Sequence, residues 1–192
     1  MRLLMAGLVV SIALCSGCGR TVIPPAHPAE PARMFIAIYS RHSSIILPTG
    51  DNRMVEYAFG DWAYFAENRD QWFNGIEALL ASKGAGLGRR YFACTADDPT
   101  LEEKVWAKKI VPLKVETKRL RALQESLDAR FAASAWTAVH NPENGLVCVR
   151  DPEKYSLGHN CNHVTARWLE ELGCQVEGRS LGPEFKVKKM VR

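Results

Sequence analysis

Cys161 is the residue whose type and position most suggest chemistry. It lies in His159-Asn-Cys-Asn-His163, directly before a segment in which Val164, Trp168 and Leu172 recur at helical spacing. The first turn of a helix presents unpaired backbone N–H groups and the positive end of the helix dipole. Both favour the thiolate, the nucleophilic form of cysteine, and the same N–H groups can hold an oxyanion. The position therefore predicts a reactive thiol.

The alternative interpretation of Cys161 is an inert packing residue, because cysteine is among the residue types that are most often buried. Against it, the neighbours of this cysteine in the sequence are polar: His159, Asn160, Asn162 and His163. Asn160 and Asn162 are also the two candidates for the helix cap. The sequence leaves both interpretations open, so the position of a base decides between them.

His42 is the best candidate for that base. It lies in an apolar segment, 34–47, that is predicted to form a strand, where an imidazole is desolvated unless something uses it. The next predicted strand, 54–59, pairs with it antiparallel and brings Glu56 alongside, which could orient the imidazole as the third member of a triad. On position alone, His42 also fits a satisfied core or surface histidine. The other residues considered for the orienting role are Tyr57 and Asp61.

The remaining histidines are weaker candidates. His27 falls in a proline-rich segment, His140 lies in a turn-rich loop, and His163 would point about 200° away from Cys161 around a helix. His159, Cys161 and His163 could instead form a metal site. That cluster is too compressed for all three to chelate and lacks a convincing fourth ligand, so we expect neither a metal nor another cofactor.

Three segments resemble the permuted papain-like proteins, which are relatives of the NlpC-type cell-wall peptidases and of lecithin retinol acyltransferase. They are Arg41-His-Ser-Ser-Ile-Ile-Leu-Pro48, His159-Asn-Cys-Asn-His-Val164 and Val55-Glu-Tyr-Ala-Phe-Gly-Asp61, the last being similar to a bacterial lipoprotein family within this group. In that group the histidine strand precedes the cysteine helix. The resemblance implies an α+β fold with a small antiparallel β-sheet packed against helices.

The resemblance also implies a reaction. Cys161 would attack a carbonyl carbon and form a thioester, His42 would take the thiol proton, and Glu56 would set the imidazole tautomer. The expected function is an envelope-anchored cysteine hydrolase that cleaves an amide or ester in a peptidoglycan peptide or an acyl substrate. The alternative is a non-catalytic envelope lipoprotein that binds a cell-wall or lipid ligand with the same fold.

The N-terminus predicts export and lipidation. A positive start is followed by the apolar run Leu3–Leu14, which is too short to span a bilayer. Leu14-Cys-Ser-Gly-Cys18 resembles a bacterial lipoprotein signal, with residues 1–17 removed and Cys18 lipidated. Gly19, where an Asp would retain the protein in the inner membrane, favours the periplasmic face of the outer membrane. Plain secretion is the alternative.

Composition predicts one folded domain behind a tether. The chain has 192 residues, of which 47% are apolar and 24% charged, which is ordinary for a globular domain. Four prolines between residues 24 and 31 predict an extended tether over 18–33, so the domain covers 34–192. The net charge of +4 is modest, and the basic residues are scattered apart from Lys186-Val-Lys-Lys189. We therefore expect no nucleic-acid partner.

Four cysteines lie in the predicted domain. A helix between Cys161 and Cys174 holds them about 18 Å apart, whereas a disulfide needs Cα atoms within about 7 Å. A bridge between Cys94 and Cys148 is conceivable.

The periodicity predicts further strands at 90–94, 110–115 and 185–191, helices at 61–65, 71–82, 100–109 and 117–133, and a flexible loop at 84–88. Pro112 places its strand at a sheet edge.

Overall fold

A computed structural model describes residues 19–67, 82, 84–178 and 180–188. The strands are β1 Arg20–Ile23, β2 Pro31–Ile38, β3 Ser43–Pro48, β4 Met54–Asp61, β5 Ala85–Phe92, β6 Lys109–Glu116, β7 Val139–Asn141, β8 Leu146–Asp151, β9 Gln175–Glu177 and β10 Phe185–Val187. The helices are α1 Trp62–Phe65, α2 Leu101–Val105, α3 Thr117–Ala133 and α4 Cys161–Glu171, with a 3-10 turn at Ala135–Thr137.

Two sheets organise these elements. The larger has seven strands in the order β6-β2-β3-β4-β5-β8-β7, and every neighbouring pair in it is antiparallel. The smaller has the order β10-β1-β9, with β1 parallel to β10. The predicted α+β class with an antiparallel sheet packed against helices is confirmed, but with seven strands the main sheet is larger than the small one expected. None of the helices in the described ranges is long and apolar enough to cross a membrane.

The predicted strand over residues 34–47 is two strands joined by a tight turn. β2 ends at Ile38 and β3 begins at Ser43, and the N–H of Tyr39 donates to the carbonyl of His42 over 2.8 Å. His42 therefore lies in the turn, which corrects its predicted place inside a strand. The predicted antiparallel pairing with the next strand is confirmed for β3 and β4, where Ile46 lies opposite Glu56.

The two faces of the large sheet carry different cores. Side chains alternate between the faces of a strand, so neighbours in sequence point to opposite sides. Ile45 and Tyr57 pack in the core that α3 and α4 cover. Ser44 and Glu56 hydrogen-bond to each other on the opposite face. The ring of His42 lies on this second face too, because it contacts Phe65, which belongs to the other core.

Residues 18–33 do not form a tether over their whole length, which corrects the predicted domain boundary. β1 occupies Arg20–Ile23 and is held between β9 and β10, with Val22 fully buried. β2 begins at Pro31 and continues into the large sheet. The domain therefore includes β1 and starts before Met34. The predicted signal peptide and Cys18 lie outside the described residues, and so does the predicted helix over 71–82 except for Ser82.

The loop predicted at residues 84–88 is wrong, because β5 begins at Ala85. Its glycines allow close packing: a Cβ on Gly86 would lie 3.3 Å from the Trp62 ring, and one on Gly88 would lie 3.1 Å from Leu146.

The predicted helix 100–109 is too long. It ends at Val105, because Trp106 adopts a left-handed backbone with φ 56°. The long helix, α3, has its predicted bounds, and β6 with its proline lies at a sheet edge.

All four cysteines of the described chain are free and buried. The conceivable bridge between Cys94 and Cys148 is not formed, and the two thiols lie in separate hydrophobic clusters of the second face. Cys94 packs with residues of α2, whereas Cys148 lies beneath α1 with its Sγ 3.6 Å from the carbonyl of Phe65.

Candidate functional site

Cys161 is the first residue of α4, as the sequence predicts. The cap is Asn160, whose Oδ1 accepts hydrogen bonds from the backbone N–H groups of Asn162 at 3.0 Å and His163 at 3.2 Å. The side chain of Asn162 is used differently: its Oδ1 accepts from Ser43 Oγ and its Nδ2 donates to the carbonyl of Leu181, each at 2.8 Å. Two of the N–H groups expected to hold an oxyanion are therefore already occupied by the cap.

The thiol of Cys161 is buried and protonated. Only 5% of the residue is exposed. The Tyr155 hydroxyl donates to Sγ from 3.9 Å, and Sγ donates to the Arg41 carbonyl at 3.9 Å. Burial raises the pKa of the Cys161 thiol, and the opposing effects of the Tyr155 hydroxyl and nearby backbone N–H groups do not reverse it. The sequence-based expectation of a lowered pKa is wrong for this structure.

His42 does not bond to Cys161. Its ring lies across the sheet, with ring centroids 4.9 Å from Phe65 and 5.8 Å from Tyr39. Both ring nitrogens are buried and neither has a hydrogen-bond partner. Burial lowers the pKa of His42 to about 3, so the imidazole is neutral at ordinary pH. The predicted proton transfer from Cys161 to His42 is therefore not assembled in this structure.

Glu56 does not orient His42 either. Its carboxylate accepts from Tyr39 Oη at 2.6 Å, from Ser44 Oγ and from Arg90 Nε at 2.6 Å. The guanidinium of Arg90 also donates to the carbonyls of Asn144 at 2.9 Å and of Val105 at 2.7 Å. Glu56 and Arg90 thus form a satisfied ion pair, with side chains only 2% and 11% exposed.

The two alternatives to Glu56 are also engaged elsewhere. The hydroxyl of Tyr57 points to the α3 face and donates to Asp128 Oδ1 at 2.8 Å. Asp61 is the predicted cap of α1: it accepts from the backbone N–H of Tyr64 at 3.1 Å and from the hydroxyl of Ser82. No carboxylate or hydroxyl among the described residues therefore serves as a third catalytic group for His42.

The unpartnered ring of His42 faces a pocket of about 260 Å³, which we call the His42 pocket. The ion pair of Glu56 and Arg90 lies at one side of it. Its other walls are largely aromatic, and they include Tyr39, Tyr64, Phe65 and Trp106. Trp106 is 72% exposed at the rim, beside the polar residues Glu143 and Asn144. The pocket is therefore an aromatic cavity with one unsatisfied polar group.

The two histidines next to Cys161 have partners of their own. His159 Nε2 lies 2.5 Å from a Glu153 carboxylate oxygen, and His163 Nδ1 lies 2.9 Å from Asn160 Oδ1. They do not converge on Cys161 as a metal site would require. Within the ranges that the structure describes, no group of three or more His, Cys, Asp or Glu side chains is arranged to hold a metal ion.

Sequence reasoning missed Tyr39, Arg90 and Trp106. A signal for Arg90 was present, because a carboxylate such as Glu56 in a fully buried strand needs a cation close by. Trp106 and Tyr39 carried no comparable signal.

Comparisons with protein-family models, curated proteins and solved structures gave no match. The papain-like resemblance therefore rests on three short segments of sequence.

Proposed function

We propose that this protein is an envelope lipoprotein that binds a sugar unit of the cell wall in the His42 pocket and leaves it unreacted. The observation that carries the proposal is the pair of His42 ring nitrogens, which are both buried and both without a partner. A buried polar group without a hydrogen bond costs about 1–3 kcal/mol. A ligand that satisfies those nitrogens removes that penalty, which favours binding.

The chemistry of the pocket favours a hydroxylated ring. Neutral imidazole has one donor and one acceptor nitrogen, and a hydroxyl group complements either. The C–H faces of a sugar ring pack on aromatic walls such as those of Phe65 and Trp106. The volume of about 260 Å³ lies just below the range of about 300–1,000 Å³ for drug-sized ligands. One ring, such as an amino sugar of peptidoglycan, fits this description.

A binding experiment tests the proposal. Disaccharide-peptide fragments of peptidoglycan are titrated into the purified mature chain, and tryptophan fluorescence reports the occupancy of the pocket beside Trp106. We expect saturable binding, and we expect His42→Ala to weaken it at least tenfold, since loss of a buried hydrogen bond of about 1.4 kcal/mol has that effect. An affinity that is the same in His42→Ala contradicts the proposal.

Matched controls separate the pocket from general effects. His140 is exposed on β7, so His140→Ala leaves the affinity unchanged. Trp106→Ala removes a wall of the pocket and weakens binding, whereas Trp136→Ala, at a residue that is 87% exposed and does not line the pocket, does not. Equal losses in both members of either pair would mean that the ligand binds elsewhere.

The location of the protein in the cell envelope is part of the same proposal. Residues 14–18 carry the lipoprotein-like signal, and Cys18 would hold the lipid that attaches the protein to the outer membrane. Expression with radiolabelled palmitate tests it. We expect incorporation into the wild-type chain and none into Cys18→Ser, while Cys15→Ser retains the label. Label that persists in Cys18→Ser contradicts the proposed anchor.

A second candidate function is the cysteine hydrolase of the permuted papain-like type. One observation favours it: the sulfur of Cys161 lies 3.9 Å from the carbonyl of Arg41, the residue before His42. The imidazole is thus on the far side of a neighbouring stretch of backbone, and a rearranged turn at Tyr39–His42 would bring the ring to the thiol. This state would carry the proton transfer that the sequence resemblance implies.

Product analysis distinguishes the two functions. Peptidoglycan fragments and p-nitrophenyl acyl esters are incubated with the wild-type chain and with Cys161→Ala, and the products are followed by mass spectrometry. Cleavage that disappears in Cys161→Ala supports the hydrolase. Binding of intact fragments, with the same mass recovered from both proteins, supports the binding function and contradicts the hydrolase.

A further inference from the structure

A second pocket, of about 440 Å³, lies on the opposite side of α4 from the sheet core, between that helix and the small sheet. We call it the Arg20 pocket. One face of α4 supplies His163, Arg167 and Glu170, at spacings i, i+4 and i+7. Arg20 of β1 and Val176 of β9 supply the other side. The site therefore depends on the small sheet, which lies outside the part of the chain that the papain-like resemblance covers.

Arg20 is a buried cation without a direct ion pair among the described residues. The residue is 4% exposed, and its Nη1 is buried without a hydrogen-bond partner. The carboxylate of Glu170 acts on it only through space, and the guanidinium carbon lies 5.9 Å from the centre of the Phe185 ring. A guanidinium stays charged in proteins, so this burial is unfavourable until an anion compensates it.

The positive charge of the neighbouring Arg167 is compensated by carboxylates of the same chain. Arg167 lies at the rim and donates to the Glu153 carboxylate over 3.0 Å. A second carboxylate, that of Glu171, lies 3.9 Å away. Arg20 has no such ion pair within the described residues, although it lines the same pocket. The difference points to an external anion as the partner of Arg20.

We propose that the Arg20 pocket binds a phosphate group between Arg20 and His163. The fork of a guanidinium matches two phosphate oxygens. His163 Nδ1 donates to Asn160 Oδ1, which leaves Nε2 as the ring position that can face a ligand. Glu170 also lines the pocket and repels an anion, but it is exposed, so water and salt weaken that repulsion.

The place of Arg20 in the chain suggests the source of the phosphate. It follows Cys18 by two residues, and two residues span at most about 7 Å. If Cys18 carries the lipid, as the proposed function states, the Arg20 pocket lies at the depth of the phospholipid headgroups. A headgroup phosphate and free inorganic phosphate share the chemistry that the site recognises, and only the first source depends on the lipid anchor.

Thermal melting of the purified mature chain tests the anion site. Inorganic phosphate is expected to raise Tm by several degrees over sodium chloride at equal ionic strength. Arg20→Met removes the unpaired charge, so its Tm without phosphate is at or above that of wild type, and only the general stabilising effect of phosphate on folded proteins remains. Arg33→Met is the matched control, because Arg33 is half-exposed and paired with Asp97, and it keeps the full phosphate effect. A phosphate effect that is as large in Arg20→Met as in Arg33→Met overturns the proposal.

Two further measurements keep the test decisive. Line broadening of the ³¹P signal of inorganic phosphate by wild-type protein, absent with equimolar albumin, needs no variant; its absence at millimolar phosphate overturns the site. Flotation of the chain carrying Cys18→Ser with phosphatidylglycerol vesicles then identifies the source. Flotation that requires Arg20 supports a headgroup, and a melting effect without Arg20-dependent flotation supports free phosphate. Both results leave the His42 pocket untouched, so neither depends on sugar binding.

Discussion

The surroundings of Cys161 and of His42 differ in how many of their polar groups already have partners. At the start of α4, Asn160 caps the helix, Asn162 joins it to β3, and the thiol of Cys161 is 5% exposed. Across the sheet, both nitrogens of His42 are without a hydrogen bond and face a pocket. The residue that resembles a nucleophile is satisfied, and the residue that resembles its base is not.

The contrast between the two sites shows where a ligand can gain free energy of binding. A group whose hydrogen bonds are complete gains little from a ligand, because each new bond replaces an existing one. A buried group without partners gains the full free energy of the new hydrogen bond. The type and position of Cys161 predict a reactive thiol, but in this structure the thiol is buried at the start of α4 and its hydrogen bonds are made within the protein. Four measurements on variants and on the thiol test this contrast.

Glu56→Ala is expected to lower the free energy of unfolding by about 3–5 kcal/mol, because it leaves the Arg90 guanidinium buried and unpaired. This is the satisfied wall of the His42 pocket, so its loss also removes sugar binding. Urea denaturation measures the change. The control is Glu171→Ala at a half-exposed residue 3.9 Å from Arg167, where a loss below about 0.5 kcal/mol is expected. Equal losses would contradict the structural role of the ion pair.

Alkylation of Cys161 by iodoacetamide is expected to be about 100-fold slower in the folded protein than in urea, because the thiol is buried and its pKa is raised. Peptide mass spectrometry separates its rate from those of Cys94, Cys148 and Cys174. The rate should increase toward high pH. Fast modification in the native state, with half-maximal rate below pH 8, would instead place a thiolate at α4 and strengthen the hydrolase hypothesis.

His42 makes the protein less stable in acid. Its pKa is about 3 in the folded state and 6.5 as a free side chain, so the unfolded chain binds the extra proton between those values. Stability should therefore fall by up to about 1.4 kcal/mol per pH unit as pH drops below about 6.5. The free energies of unfolding of wild type and His42→Leu, measured by urea denaturation at pH 7 and pH 5, isolate the contribution of His42. A pH-independent difference would show that the ring is accessible to water.

Asn160→Ala is expected to lower the free energy of unfolding by about 1 kcal/mol, because α4 loses its cap. Asn160→Asp keeps an accepting oxygen and should stay within about 0.5 kcal/mol of wild type. Thermal melting compares the two. If both variants lose the same stability, the side chain of residue 160 matters for packing, and the backbone N–H groups beside Cys161 are available to a ligand after all.

Several parts of the fold follow from local sequence. The stripe of Leu120, Leu123, Leu127 and Phe131 gives α3 its bounds, and all four side chains are buried. Asp61 and Asn160 begin their helices because a short polar side chain can bond the free N–H groups of a first turn. Pro112 cannot donate to a ladder, so its strand lies at an edge. These features depend on neighbours within a few residues.

The turn between β2 and β3 shows why the site could not be predicted. Tyr39-Ser-Arg-His42 contains no Gly, Pro, Asn or Asp, so Ser40 is its one turn-forming residue and the turn signal is weak. The backbone bond between Tyr39 and His42 closes the turn once β2 and β3 pair. The small sheet could not be predicted either, because its strands have three or four residues and come from both ends of the domain. Long-range pairing decides both.

Local sequence was enough to predict an α+β fold, the start of α4 at Cys161 and the pairing of β3 with β4. The placement of His42 on one face of the sheet and of α4 on the other emerged only from long-range packing. Side chains alternate along a strand, so a shift of one residue moves a side chain to the opposite face, and no local pattern indicates which face a distant helix will cover.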